Sequence, residues 1–498
     1  MTDDELSEIL KSGDIEEIRS VLDSGADIRY VRPEGYAAMI DVMHGRSRLE
    51  AHRLLPVLRL LIDRGADLDA ESDYGESALS ITSRVGRFDA VALLLESGAN
   101  PRPLGWTALH RAIALDTVEE VKRRLESGDD LEARDCWERT PMLLSLMSRD
   151  IEKARLILAS GGSLTDQGRC GMTSPMYPIE VDDPAMLKWL LKQGADADPV
   201  ENFGDTPLRP AAESGSAECL RILVEAGANV NDEGPYGSTI SSSASLECAR
   251  ILAEAGANIA EIHRTVRDEI TRVRRTDSID CTQEEYHAAK YRIFGNANPQ
   301  RMNFPFWKAM VACGDSGYGA RKHFDNGQAH DEPVWCFQRM GQSFTELPDG
   351  RVIEIAGEHE DFYDPDFCIY NDVTVHHGDG TFDIYGYPRE VFPPTDFHTA
   401  TLVGDSIYVI GSLGYDTDRK HGTTQVFRLD IHSLMIERID TNGESPGWIS
   451  HHKARLLDNG IEVTGGEILC LVDSNETSEY NRGFFMLNLD TLTWSKSN

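Results

Sequence analysis

Eight short glycine phrases recur along the first half of this 498-residue chain: "SGAD" at Gly25, "RGAD" at Gly65, "SGAN" at Gly98, "SGDD" at Gly128, "SGGS" at Gly161, "QGAD" at Gly194, "AGAN" at Gly227 and "AGAN" at Gly256. The intervals are 40, 33, 30, 33, 33, 33 and 29 residues. A period near 33 dictates an array of stacked units, each of which buries its apolar face only against its neighbours. The glycines follow runs such as "DAVALLLES", "EKARLILAS" and "ECLRILVEA". Apolar residues there fall at i, i+3 and i+4, one face of a helix. Each glycine therefore stands where a helix ends in a left-handed turn that side chains resist. About ten residues on, Ser77, Thr107, Thr140 and Thr206 open a second helix as caps, with proline suited to its first position.

The unit resembles the ankyrin repeat, with its D-x-x-G-x-T-P-L-H-x-A-A start and L-L-x-x-G-A-D/N end. "FGDTPLRPAAESGSAECLRILVEAGANVN" from Phe203 to Asn231 is near the full pattern. The resemblance covers residues 1–262, about eight repeats. It implies an all-α solenoid that binds proteins through its concave face. Residues 4–27 read as a charged capping repeat. The 40-residue interval implies an insertion near "VMHGRSRLEAHRLL", and Pro178 and Pro184 break the helical pattern of one repeat.

Aromatic residues mark the predicted turns. Tyr74, Phe203 and Tyr236 directly precede a turn glycine, Trp137 holds the same register before Glu138, and Trp106 follows Gly105. Two readings are open: rings that shield neighbouring turns, or anchors for a partner, since aromatics dominate interface energetics. His110 reads as a satisfied helix histidine, as the resemblance implies.

Residues 263–297 read as a helical connector. Arg264, Arg267, Arg272, Arg274 and Arg275 concentrate positive charge there, as a solvated helix or a clamp onto acidic neighbours. Thr282 with Glu285 fits a capping box, and Gly295 a helix end. In "PFWKAMVACGDSGYGARKHF" the glycines lack the order of a phosphate loop.

From Val334 the pattern turns to short runs rich in Val, Ile, Phe and Tyr between Gly, Asp, Asn and Pro, which are strand signals. "GRVIEIAGEHED", "GDSIYVIGSLGY" and "NGIEVTGGEIL" each end a strand in glycine, and Gly357, Gly411 and Gly465 stand 54 residues apart. Residues 298–498 resemble a kelch-like β-propeller domain, all-β, either closed or incomplete. Three blades are legible, and "FWKAMVAC" with "PVWCFQRM" are candidates for a fourth. The matching features are Gly465–Gly466, Asp430, Asp490 and Trp494; the first two blades lack the double glycine. The loop "EHEDFYDPD" joins two strands of the first blade. Asp361, Phe362, Tyr363 and Asp364 make it a candidate contact surface for a basic partner, against the alternatives of a solvated loop or a metal site.

The net charge of −35 repels nucleic acid and anionic lipid and favours basic proteins. No run approaches the length of a membrane helix, and the start "MTDDELSEIL" lacks the features of a signal peptide. Nine scattered cysteines without a CxxC pair suit a reducing cytoplasm. Hydrolytic and redox motifs are absent. The expected function is a non-enzymatic scaffold for a basic protein, with an immunity or sequestering protein as one form of it, and no cofactor. The alternative is a metal-dependent enzyme with His376, His398, His451 and Glu358 on a rim of the β domain.

Overall fold

The structure, a computed structural model, describes residues 2–44, 51–231, 233–234, 237–257, 259, 262–327, 332–359, 367–458, 460–472 and 475–497. The chain forms two compact units that divide after Asn258.

The first unit is a row of helix pairs: α1 (Asp3–Ser12) with α2 (Ile15–Asp23), α3 (Ala38–Met43) with α4 (Ala51–Asp63), α5 (Ala78–Arg84) with α6 (Phe88–Glu96), and α7 (Ala108–Leu115) with α8 (Val118–Glu126). It continues with α9 (Pro141–Ser145) and α10 (Ile151–Ala159), α11 (Met176–Glu180) and α12 (Pro184–Lys192), α13 (Leu208–Ser214) and α14 (Ala217–Glu225), and ends on a 3-10 turn at Thr239–Ser242 before α15 (Leu246–Glu254). All eight phrase glycines have positive φ, between 76° and 110°, as the helix-end reading requires. Ser77, Thr107 and Thr140 cap their helices by accepting from the N–H three residues on. Thr206 departs from this: its hydroxyl finds no hydrogen-bond partner, and α13 opens at Leu208. The expected break is corrected: Pro178 lies in the first turn of the five-residue α11, and Pro184 is the first residue of α12, where proline suits a helix. Of the stretch "VMHGRSRLEAHRLL", where an insertion was expected, Val42 and Met43 end α3 and residues 51–55 open α4, while residues 45–50 lie outside the described residues.

The second unit begins with four helices, α16 (Arg264–Thr271), α17 (Gln283–Ala289), α18 (Pro305–Cys313) and α19 (Gly317–Phe324). Here the expectation is corrected. "FWKAMVAC" is the helix α18, not a strand of a fourth blade, and the start of 298–498 is helical apart from the two-residue strand Gln300–Arg301, which pairs with Gly386 and Tyr385. Pro305 occupies the first turn, Phe306 with Met310 and Trp307 with Val311 recur at i+4 and are buried, and Gly314 ends the helix at φ 61°. Of "PVWCFQRM", only Val334 and Met340 form isolated bridges. The arginine-rich stretch is an internal clamp: Arg267 pairs with Glu354 at 3.0 Å, Arg275 with Asp268, and Arg264 donates to the Gly314 and Cys313 carbonyls. Residues 263–297 thus hold helices packed within this unit.

Three four-stranded antiparallel meanders follow; Gln300–Arg301 adds a fifth strand to the first, and Asn442–Gly443 adds a parallel fifth strand to the third. The first comprises β1 (Ser343–Glu346), β2 (Val352–Ile355), β3 (Val373–His376) and β4 (Phe382–Gly386). The second comprises β5 (Thr399–Val403), β6 (Ser406–Ile410), β7 (Val426–Asp430) and β8 (Ile436–Arg438). The third comprises β9 (Lys453–Leu457), β10 (Gly460–Thr464), β11 (Phe484–Asn488) and β12 (Thr493–Ser497). Strand alternation sends successive side chains to opposite faces. Ile353, Ile355, Val373 and Val375 of the first meander pack against Ile407, Val409, Phe427 and Leu429 of the second. Tyr408, Ile410 and Val426, on the other face of the second, pack against Ile461, Val463, Phe485 and Leu487 of the third.

The described strands form separate sheets and no closed barrel or propeller, and side-chain chemistry explains why. The outer face of the first meander lies under helices: Ile384 of β4 shares a core with Tyr286, Phe306, Trp307 and Met310. The far face of the third meander carries Glu462 and Thr464 where the second has Tyr408 and Ile410, with an Arg455–Glu462 ion pair at 3.0 Å. A polar terminal face stops a repeat stack.

Each meander starts alike. Gly341, Phe397 and His451 have φ of 60°, 43° and 55°, and the Phe397 and His451 N–H groups donate to the Gly341 and Phe397 carbonyls. The residues that follow, Gln342, His398 and His452, are buried just before β1, β5 and β9. The histidine equivalent to His398 is therefore His452, the neighbour of the His451 named in the rim grouping.

Candidate interaction surface

The hairpin tips before α5, α7, α9 and α13 carry Tyr74, Trp106, Trp137 and Phe203, and similar tips stand before α3 and α11. Backbone hydrogen bonds join neighbours: Asp73 N–H to Glu34 O at 2.9 Å, Cys136 to Leu104 at 3.0 Å, Arg169 to Trp137 at 3.0 Å and Asn202 to Cys170 at 3.1 Å. The tips thus form a braced row on which side chains stand at fixed positions. Gly35 must lack a side chain, since a Cβ would meet the Ser72 and Glu71 backbone at 2.9 and 3.0 Å.

The candidate aromatics divide into two kinds. Tyr74 and Phe203 are 67% and 60% exposed, so their rings face solvent. Trp106 and Trp137 are half-buried and committed to the fold. Trp106 packs on Phe88 at a centroid distance of 6.1 Å, between two helical cores. Trp137 donates through Nε1 to the Ser80 carbonyl of α5 at 2.8 Å, and its ring carries Arg84 and Arg169 at 5.5 and 4.8 Å. Tyr236, Asp361, Phe362, Tyr363 and Asp364 lie outside the described residues.

Sequence reading missed the reason Trp137 is held. Arg139, only 1% exposed, pairs with buried Asp135 at 2.6 Å and donates to the Ser83 carbonyl and hydroxyl of α5. His110 completes this cluster, with one ring nitrogen 2.8 Å from the Thr107 hydroxyl and the other 3.1 Å from the Arg139 carbonyl. Burial lowers its pKa, so it is a neutral structural histidine. Tyr36 was also missed, although it follows Gly35 in the register that picked out Trp106 after Gly105.

Between the tips before α9, α11 and α13 lies a polar cleft of 470 Å³, lined by Arg134, Glu138, Asp166, Gln167, Cys170 and Asn202 among others. Arg134 already donates to the Glu138 and Gln167 carbonyls, and Asp166 accepts from the Thr140 hydroxyl at 2.6 Å.

The rim residues have separate partners, although His398 and His451 both lie close enough to His452 to act on its charge. His398 Nε2 meets the Ser343 hydroxyl at 2.9 Å, His376 Nε2 lies 3.5 Å from Glu354, and the exposed His451 stacks on Phe397 at 4.0 Å. Glu358 is buried near Asp396, which it helps to hold. Among the described residues no three His, Cys, Asp or Glu side chains are grouped to bind a metal. Beyond the "EHEDFYDPD" loop, Asp372 is committed to Arg339 and to Trp335 Nε1.

Comparison with known proteins agrees with the architecture of the first unit. Residues 49–135 and 176–262 match the family model for ankyrin repeats, in three copies. Ankyrin repeat protein nuc-2 of Neurospora crassa is 27% identical over 182 residues, 35% of this chain and 17% of its own length. Putative ankyrin repeat protein FPV014 of Fowlpox virus is 27% identical over 37% of this chain and 35% of its own. The probable E3 ubiquitin-protein ligase XBOS33 of Oryza sativa subsp. japonica is 25% identical over 46% of this chain and 39% of its own. The chain thus spans well under half the length of these relatives. The solved ankyrin repeat domain of Bcl-3 aligns with 50% of this chain and 97% of its own at 19% identity and a TM-score of 0.24. No helix among the described residues is long and apolar enough to cross a membrane. The chain combines an ankyrin-repeat helical region, of the kind that generally mediates protein–protein interaction, with a C-terminal β-rich region.

Proposed function

We propose that this chain is a non-enzymatic scaffold that binds a basic protein through its ankyrin tips and concave face, with the loops of the β-rich unit as a second contact. The carrying observation is the pair of exposed rings, Tyr74 and Phe203, on tips whose backbones are braced to their neighbours. Rigid aromatics on a fixed row lose little entropy on binding and are the residues that dominate interfaces. The net charge of −35 favours a basic partner and speeds the encounter. Sequestration of a basic protein, as by an immunity protein, is one form of this function. The three meanders read as kelch-like blades in an open stack. The nine cysteines, all free thiols, support a cytoplasmic location.

A photo-crosslinking residue placed at 74 or 203 in the full chain tests this in native lysate. The expected result is one basic protein captured at both positions and absent from a control at exposed Glu96 of α6. Tyr74→Ala with Phe203→Ala should cut capture at least about tenfold. Equal capture from all three positions would refute the tips as the interface.

A further inference from the structure

We infer that the tips before α3 and α5 form a recognition site for a lysine or arginine side chain of the partner. This inference rests on the scaffold reading above and names the chemistry at one end of the row. Tyr36 and Tyr74 stand side by side with ring centroids 6.5 Å apart and planes tilted by 46°. Tyr74 and Val31 are 67% and 66% exposed, so the pair opens to solvent.

Carboxylates surround the rings. Glu34, with φ 65°, sits beside the Tyr74 hydroxyl, and its charge is the main reason the Tyr74 pKa is raised. The Glu71 carboxylate lies over the turn, 3.5 Å from where a Cβ on Gly75 would be. Glu76 stands 3.5 Å from His44, whose ring is T-shaped to that of Tyr36 with centroids 5.5 Å apart. The nearest fixed cation, Arg32, lies 5.7 Å over Tyr36 but is committed to Asp41 and Asp4. The surroundings therefore remain negative.

Ring faces attract cations, most strongly where carboxylates reinforce the field. Trp137 shows the same chemistry satisfied within the chain, with arginines on its ring. Tyr36 carries Arg32 in the same way, but the exposed Tyr74 ring beside it is open, and a guanidinium or ammonium from a basic protein is the group that fits that ring and the acids around it. The brace between Asp73 N–H and the Glu34 carbonyl fixes the two tips, so the rings need no rearrangement to receive it.

The experiment titrates the full chain with a deca-arginine peptide at 150 mM salt, by calorimetry. Tyr36→Leu with Tyr74→Leu keeps apolar volume and every charge but removes both π faces. This variant should bind about five- to thirtyfold more weakly. Glu96→Gln, which removes one charge on α6, should leave affinity within about twofold. Single Tyr74→Leu, whose ring is exposed, should show a partial loss with unchanged melting, which separates binding from folding. Equal affinity of the Leu variants and the parent would overturn the inference, as would losses no larger than that of Glu96→Gln. Either failure leaves the scaffold reading to its own cross-linking test, which reads capture of a protein and not of a cation.

Discussion

Lowering the pH from 7 to 5 should loosen the stack of meanders through two imidazoles. His398 and His452 are 8% and 6% exposed, and burial pushes each from an ordinary value of 6.5 down to about 3. Each joins one meander to the one before it: His398 to the Ser343 hydroxyl at 2.9 Å and His452 to the Thr399 hydroxyl at 3.0 Å. A depressed pKa means that the unfolded chain binds the proton more readily. The stability these groups confer is complete above pH 6.5 and is lost as pH falls towards 3. At pH 5 each imidazole costs about 2 kcal/mol, so the pair costs about 4 kcal/mol if the two act independently. Glutamine is the natural replacement, because Gln342 occupies the same position before β1. Hydrogen exchange by mass spectrometry on peptides spanning β5–β12 reports this unit separately within the full chain. The parent should lose about 4 kcal/mol more opening free energy between pH 7 and pH 5 than His398→Gln with His452→Gln. Other groups, such as Asp396, titrate in both proteins and cancel in the difference. Parallel pH profiles would refute the reasoning, whatever the absolute stabilities.

Arg139→Ala would leave Asp135 buried without its partner and should destabilise the first unit by about 3–5 kcal/mol in urea denaturation; a loss under 1 kcal/mol would deny the clamp onto α5. Ile461→Ala, in the core between the second and third meanders, should cost about 2–5 kcal/mol, read as a fall in the midpoint of the β-unit transition. Gly411→Ala should cost about 1–3 kcal/mol by the same measure, because φ is 77° and a Cβ would run into the Ile449 carbonyl. Glu354→Gln should lower the midpoint as well. Burial alone would raise this carboxyl, yet Arg267 and His376 hold it below its usual value, so its charge anchors α16 to the first sheet.

Local requirements were legible because one residue carries each of them. A helix end needs a left-handed backbone, and the eight phrase glycines reveal it; a first turn needs a hydroxyl cap, and Ser77, Thr107 and Thr140 supply it. The strand-ending glycines 54 residues apart likewise revealed three equivalent meanders. Helix α18 was misread because "FWKAMVAC" is a short apolar run, and such runs suit a buried helix and a strand alike.

Exposure was not legible. Tyr74, Trp106, Trp137 and Phe203 occupy nearly one register, yet two rings face solvent and two are held by the fold. The difference lies in groups distant in sequence, such as Ser80 and Arg84 for Trp137. Closure of the β-rich region was equally hidden, because a stack ends where a face turns polar or a helix covers it, and both depend on what lies opposite. The sequence by itself determined the repeat period, the turn positions, the caps and the acidity, since each is a property of local backbone or of composition. Only the tertiary structure decided which aromatics remain available, which histidines are neutral bridges and where the sheets stop, because burial belongs to neighbours that the chain brings together only on folding.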